Sequence, residues 1–411
     1  MEYDALIVGA RVAGASLALL LAKQGRRVLL VDRDRFPSDT LSTHFVAFNG
    51  IGLLARLGVL GDVEAAGFRR ISRHRTWVED VLLEVPAGPS GAYSLAPRRD
   101  VLDSVLVKHA VAAGASLAER TRAEALLLEG DRVVGAVVQE AGGGRREVRA
   151  RVVVGADGKY SKVAEWVGAE KYAGVPALRP VYYGYLLGVE PLPVVAMEMW
   201  FVAGQIGFLF PMRAGEDCIA LEIQPGDFDS FRSDPVATFW ERLQTLPGLA
   251  DRLRNARLEG KLQGSRGIEN HFRKPFGPGW ALTGDAGYLK DPSTGLGITD
   301  ALTQSFLLAK ALDGWFGGVD WETAMAGFQR ERDESVMPSY RYTLAVTERV
   351  DREGGFHRLD VLRALAVSPH LGRVLVEALP DLANQVLEPA DQARVAIMTR
   401  LYRPTEQPAA G

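Results

Sequence analysis

The chain opens on an apolar run. Tyr3 to Val8 reads as a buried strand, Val12 to Gln24 as a helix and Arg27 to Val31 as a second buried strand, together a βαβ unit. Polar and turn-forming residues from Pro37 to about Asn49 predict a loop, followed by a helix through Leu60. Phe68 to Tyr93 is strand-like and Arg98 to Ala113 reads as an amphipathic helix. Gly130 to Val138 and Arg145 to Val154 are strands joined by the turn Gly142-Gly143-Gly144. Between Val175 and Gly267 the pattern changes to aromatic-rich strands, Tyr182 to Val189, Ala196 to Val202, Gly207 to Pro211 and Cys218 to Ile223, which predicts a mostly antiparallel unit. Trp280 to Leu282 is a short strand, Gly284 to Thr299 a glycine-punctuated loop and Asp300 to Trp315 a helix. From Trp321 onward the chain reads as helical, including Pro338 to Asp351 and Arg358 to Leu379.

This order predicts an α/β fold: a Rossmann-type nucleotide-binding domain, an inserted and mostly antiparallel β-sheet substrate domain, and a helical C-terminus. The boundaries read as 1-75, 97-174 and 268-335 for the first, 76-96 and 175-267 for the second, and 336-411 for the last. A chain of 411 residues exceeds what one hydrophobic core serves, which agrees with two domains and an appendage. The net charge of −3 supplies no basic field for a phosphate backbone, so nucleic acid is not an expected partner. The single cysteine, Cys218, excludes an internal disulfide and a Cys-x-x-Cys pair and fits a cytoplasmic protein. No signal peptide or membrane span is expected, and the six histidines lack metal-ligand spacing.

Gly9-Ala10-Arg11-Val12-Ala13-Gly14 stands where a Gly-x-Gly-x-x-Gly turn belongs, between the first strand and its helix. Gly9 makes the tight turn, Gly14 lets helix and strand approach, and the helix N-terminus offers N–H groups to a pyrophosphate. Arg11 replaces the middle glycine. Its side chain either swings outward or adds a contact to the phosphates. Asp32 ends the second strand, where a carboxylate accepts hydrogen bonds from adenosine ribose hydroxyls and repels a 2′-phosphate.

Two later segments complete a pattern. Val152-Val153-Val154-Gly155-Ala156-Asp157-Gly158-Lys159-Tyr160-Ser161 runs from a strand into a polar turn. Gly284-Asp285-Ala286-Gly287 follows another strand, and Asp291-Pro292-Ser293-Thr294-Gly295-Leu296-Gly297-Ile298 leads into a helix. In these three motifs, over Tyr3 to Leu312, the chain resembles the p-hydroxybenzoate hydroxylase superfamily of single-component flavoprotein monooxygenases, with the related geranylgeranyl reductases and flavin-dependent halogenases. The resemblance implies one FAD. It implies that Gly9, Arg11, Val12, Ala13, Gly14 and Asp32 surround the ADP half with Arg33 flanking the adenine, and that Asp157 props the pyrophosphate side. Arg98 would touch the cofactor from the start of its helix. Gly284 and Asp285 would meet the ribityl chain, and Pro292, Gly295, Leu296, Gly297 and Ile298 the flavin, with Ser42, Thr43 and His44 in a loop that reaches it. Ala164 stands where that family has arginine, and Tyr288 where it has histidine. The Asp291 to Ile298 segment is of the kind found in reductases and halogenases. A halogenase is opposed by the lack of Trp-x-Trp-x-Ile and of any lysine between Lys23 and Lys108.

The chemistry so implied is hydroxylation of an aromatic or polyketide-like small molecule through a flavin hydroperoxide, with O2 and NADH or NADPH. There the cofactor carries the reaction and the protein supplies orientation and a dry pocket. His44 is the candidate catalytic residue, as a donor to substrate or peroxide oxygen that changes charge near neutral pH; the alternative is a loop histidine that fixes the Ser42-Thr43 turn. Among the aromatics Tyr182, Tyr183, Tyr185, Trp200, Phe201, Phe208 and Phe210, most read as sheet core. Tyr183, Tyr185, Trp200, Phe208 and Phe210, with Pro211 at the rim, are the candidate substrate contacts. The competing classes are a double-bond reductase or dehydrogenase on the same fold and a non-catalytic flavin scaffold.

Overall fold

The computed structural model describes residues 2–42, 44–79, 81–89 and 91–350. Thr43 and the helix expected over Arg358 to Leu379 therefore lie outside the described residues. Three strands set the frame: Tyr3–Val8 runs parallel to Val28–Val31 on one side and to Arg145–Gly155 on the other. Ser116–Ala118 and Trp280–Leu282 extend this parallel core outward. Over residues 5–8, 28–31 and 152–154 the strands are continuously apolar and buried, because both faces are covered there. Helices Val12–Lys23, Arg99–Ala112 and Gly297–Phe316 pack together on one face. The other face meets the strands Thr121–Glu129 and Arg132–Glu140 through Leu6, Val8, Leu29, Val133, Val148 and Val153. Each such side chain, fully buried, contributes about 1.5–3 kcal/mol. The strand Thr121–Glu129 escapes the sequence reading because Arg122, Glu124 and Glu129 interrupt its apolar positions.

The aromatic-rich region forms a seven-stranded sheet in the order 257–265, 181–187, 216–222, 205–211, 196–202, 73–78, 81–86. Its pairs are antiparallel, except that Ala196–Val202 runs parallel to Arg73–Val78. The strand Arg73–Val78 begins before the boundary read at residue 76. Alternation divides the sheet into two faces. Tyr182, Leu186, Trp200, Leu209, Ile219 and Leu221 point outward onto the helices Phe228–Ser233 and Pro235–Gln244, two elements the strand-like pattern conceals. Tyr183, Tyr185, Phe208, Phe210, Cys218 and Ala220 point inward, into the core shared with the nucleotide-binding layers.

A small sheet of Lys171–Val175, Asn270–Arg273 and Tyr288–Leu289 joins the two parts. Tyr288 packs there against Phe272 and Tyr340 in tilted ring contacts, which gives its ring a packing role. The helix expected at Asp300 starts at Gly297, because Gly295 takes a left-handed φ of 66° and ends the preceding turn just before it. The last described helix is Trp321–Arg349. Among the described residues no helix is long and apolar enough to cross a membrane.

Candidate active site

The first turn is built by close approach. A Cβ on Gly9 would stand 2.3 Å from the Ala156 carbonyl oxygen, and one on Gly14 only 1.8 Å from the Gly9 carbonyl oxygen. Asp32 ties the turn together: its carboxylate accepts from the Ala10 N–H at 2.7 Å and the Asp34 N–H at 2.9 Å. Val12 and Ala13 are buried at the helix start, and the exposed Arg33 follows Asp32. Arg11 turns away from the helix axis into an ion cluster, with Asp103 at 2.9 Å and Asp34 at 3.0 Å, the first of its two alternatives. The helix N-terminus above it has no side-chain cap among the described residues.

Arg98 does not reach this turn. Its Nε donates to Glu216 at 2.6 Å, a second nitrogen donates to Glu259, and the guanidinium lies 3.5 Å from the centre of the Tyr185 ring. Arg98 is the extended residue before the helix, and the first helical side chain, Arg99, takes a different direction. It donates to Asp103 at 3.0 Å, the carboxylate that also holds Arg11. The two adjacent arginines thus serve different partners, Arg98 the carboxylates of the sheet and Arg99 that of its own helix. The spacing Arg99 to Asp103, four residues along one helix, was the signal available in the sequence.

The second motif lies beneath the first. Ala156 N–H donates to the Val8 carbonyl at 2.8 Å. Asp157 accepts from Ser161 Oγ at 2.5 Å and from the Lys162 N–H at 2.7 Å, so it fixes its own turn. Ala164 is buried, and its backbone N–H donates to Ser161 Oγ at 3.0 Å.

The third motif closes on the first from above: Ser305 Oγ donates to the Ala13 carbonyl at 2.9 Å, and Gly284 stands against Ala13. Asp285 is exposed, yet burial in the surrounding protein pushes its carboxyl up to about 6, opposed by Arg99, Lys159 and Lys290. Its turn touches both the helix Val12–Lys23 and the helix Gly297–Phe316. Asp291 accepts from the Ser293 N–H at 3.0 Å across Pro292. The helix beyond has no side-chain cap among the described residues, and the exposed Gly297 at its start has open space where a Cβ would stand. Leu296 is half-buried and Ile298 buried beside it.

His44 lies wholly inside. It holds a left-handed φ of 60°, and its backbone N–H donates to Ser42 Oγ at 3.1 Å. Nδ1 faces the Pro97 carbonyl at 3.2 Å, which fixes the proton there, and Nε2 then accepts from the Tyr185 hydroxyl at 2.9 Å. Burial, with the charge of Arg99, pushes the imidazole down to about 3. Both nitrogens are committed to protein partners and the ring stays neutral, so the expectation of a charge change near pH 7 is corrected: His44 positions its loop and Tyr185. The next residue, Phe45, stacks on Phe210 at 5.3 Å and lies against Gly295, bringing the inner sheet face to the third motif.

Of the six candidate substrate contacts, Tyr183, Tyr185, Phe208 and Phe210 share this inner face. Trp200 and Pro211 do not. Trp200 is fully buried among the outer helices, its Nε1 donating to the Pro247 carbonyl at 3.0 Å, and Pro211 lines an outer depression with Arg69 and Leu192. Residue parity along the strands puts them on the other side of the sheet, a correction to their reading as pocket residues. Residues the sequence reading passed over include Asp39, Phe45 and His74, whose ring meets Phe45 at 5.7 Å.

A family model described as FAD binding domain matches residues 2–337. The chain belongs to this family of FAD-dependent enzymes. It is 28% identical over 326 residues to the digeranylgeranylglycerophospholipid reductase of Methanosarcina mazei, covering 75% of each chain. It is 35% identical over 179 residues to the 6-methylpretetramide 4-monooxygenase of Streptomyces rimosus, 42% of this chain and 41% of that one. The structure of the myxobacterial chondrochloren halogenase CndH superposes with a TM-score of 0.79 at 19% identity, covering 97% of this chain and 96% of that one, which shows a shared fold.

The residues present fit FAD. The helices Val12–Lys23 and Gly297–Phe316 pack together with N-termini that lack a side-chain cap, the turn that carries the exposed Asp285 touches both, and Gly297 has open space beside it. Asp285→Ala is expected to weaken FAD binding by about 1.5–3 kcal/mol, the range for a charge-assisted hydrogen bond. Full FAD occupancy after gel filtration of the variant would remove Asp285 from the site.

Proposed function

We propose that this flavoenzyme hydroxylates an aromatic or polyketide-like small molecule, using O2 and NADH or NADPH, on the inner face of the seven-stranded sheet. The observation that carries the reading is the aromatic wall of Tyr183, Tyr185, Phe208 and Phe210, brought against the flavin-binding loop by the Phe45–Gly295 contact. A concave apolar surface with few polar atoms is what a small ring compound requires. The match to a monooxygenase acting on 6-methylpretetramide supports the same class.

Bound FAD, once reduced, supplies the redox chemistry that activates O2. The chain's own residues hold and shield it. Asp32 keeps the first turn closed and offers its remaining lone pairs to the adenosine ribose, with Arg33 beside the adenine. Arg99, Lys159 and Lys290 balance the pyrophosphate and Asp285, whose carboxylate receives the ribityl hydroxyls. The uncapped amides at Gly297 and Ile298 would hold the flavin ring from a positive helix end. Phe45, Phe208 and Phe210 exclude water, which strengthens each of these interactions. Residues of the first, second and third motifs form the FAD-binding domain, and the seven-stranded sheet forms the substrate domain.

A second reading, reduction of a carbon–carbon double bond, is favoured by the segment Asp291 to Ile298 and by the reductase relatives matched along three-quarters of their length. One measurement separates the two. NAD(P)H oxidation is followed with phenols, polyketides and prenyl lipids, and products are weighed by mass spectrometry. A gain of one oxygen atom is expected; a gain of two hydrogens selects the reductase.

A further inference from the structure

The last described helix meets the third motif through hydroxyl groups. Ser339, Thr343 and Thr347 follow one another at intervals of four along the helix Trp321–Arg349, so they share one face. Lys290 Nζ donates to Ser339 Oγ at 3.0 Å, Thr294 Oγ1 stands 2.8 Å from Thr343 Oγ1, and Ser293 Oγ stands 2.7 Å from Thr347 Oγ1. Lys290, Ser293 and Thr294 belong to the segment that leads into the helix Gly297–Phe316, and each has its partner on this one face. Lys290 is also paired with Asp300 at 2.7 Å, and Ser293 also reaches the Asp291 carboxylate. Thr343 Oγ1 and Thr347 Oγ1 each have a carbonyl one turn back, that of Ser339 and that of Thr343, at 2.8 Å. Each threonine therefore has a place for its hydrogen inside the helix and a lone pair for the loop. Ser293, Thr343 and Thr347 are buried, which makes these bonds costly to leave unmade. Packing of Val336 and Tyr340 against Phe272 and Tyr288 fixes the helix itself. Pro338 has no N–H for the turn before it, so the hydroxyl-bearing turns begin where the ladder of the helix is interrupted.

We propose that Ser339, Thr343 and Thr347 are positioning residues for FAD, holding residues 290–294 in the arrangement that aims the amides of Gly297 and Ile298 at the flavin. This rests on the assignment of that helix end to the flavin and is independent of whether the enzyme hydroxylates or reduces. A loop that visits its binding arrangement only part of the time weakens the apparent affinity by that fraction. Valine keeps the shape of threonine but offers no lone pair, so the Ser293 and Thr294 hydroxyls find new partners only if the loop moves. Serine keeps the hydroxyl and with it the bond.

The test follows FAD release from the holoprotein. The protein is diluted in steps, free FAD is separated by ultrafiltration and measured by fluorescence, and the visible circular dichroism of the bound flavin reports how its ring is placed. The double variant Thr343→Val with Thr347→Val should raise the FAD dissociation constant roughly tenfold, the equivalent of one net hydrogen bond, and change the dichroism. Thr343→Ser with Thr347→Ser should restore both readings. Thr294→Val should match Thr343→Val, and the two together should be no worse than either, because they remove one bond from its two ends. Native affinity and dichroism in the double valine variant overturn the proposal. Equal losses in the valine and serine variants, or additive losses in the Thr294 and Thr343 pair, overturn it as well. Should the double valine variant not fold, the half-buried Ser339 decides: Ser339→Ala upholds the proposal if it releases FAD more readily and overturns it if it does not. Native FAD binding in all of these variants and in Asp285→Ala overturns the flavin assignment of the loop together with the proposal.

Discussion

Gly14→Ala is expected to purify without FAD and to lose about 3 kcal/mol of stability, the upper part of the range for overpacking a tight contact. The added methyl would stand 1.8 Å from the Gly9 carbonyl oxygen and 3.2 Å from the Ala156 Cβ. The first of these is backbone and cannot rotate away, so either the helix Val12–Lys23 moves off the strand or the Gly9 turn opens. Both movements pull Ala10 from Asp32 and misalign the helix end that faces the pyrophosphate. The flavin-to-protein absorbance ratio after gel filtration, with the midpoint of urea unfolding, measures both effects. A yellow variant with a native midpoint would mean that Gly14 is not the contact on which the turn depends.

The second large effect is acid sensitivity from His44. Its pKa falls from 6.5 to about 3 on folding, so the folded state disfavours the proton that the unfolded chain accepts. The stabilisation is therefore fully present above about pH 6.5 and is lost as pH falls towards 3, amounting to about 3–5 kcal/mol over the whole interval. His44→Asn suits the left-handed backbone but removes this titration and the bond to Tyr185. At about pH 7.5 the variant should be less stable by about 2 kcal/mol. The two stability curves should converge on acidification and cross near about pH 5. His74 and His271, both pushed down to about 4 by burial, remain in both proteins and leave the difference to His44. A difference that stays constant from about pH 7.5 to 4 would show that His44 is not buried as a neutral ring.

What the sequence revealed follows what is local. The βαβ opening, the three glycine motifs and the aromatic strands each occupy a few adjacent residues, and each lies where its pattern predicts. Faces and neighbours are a different matter. Tyr183 and Tyr185, two apart, announce a shared face, but only the register of Trp200 opposite Gly207 and of Phe208 opposite Ala220 tells which face Trp200 joins. That Arg98 pairs with Glu216 and Arg99 with Asp103 turns on where the helix Arg99–Ala112 begins, a boundary that a run of two arginines cannot mark. His44 was noticed as a loop histidine. Its partners, Pro97 and Tyr185, lie far along the chain, so neither its neutrality nor its loss of free nitrogens was legible.

The two-faced sheet makes both of its surfaces structural. Inward and outward side chains alternate along each strand, so two packing layers are interleaved in the gene but segregated in space. Phe208 and Phe210 pack towards the nucleotide-binding layers while Leu209 between them keeps its grip on the outer helices. A change at one parity is felt on one side of the sheet and leaves the packing of the other side in place.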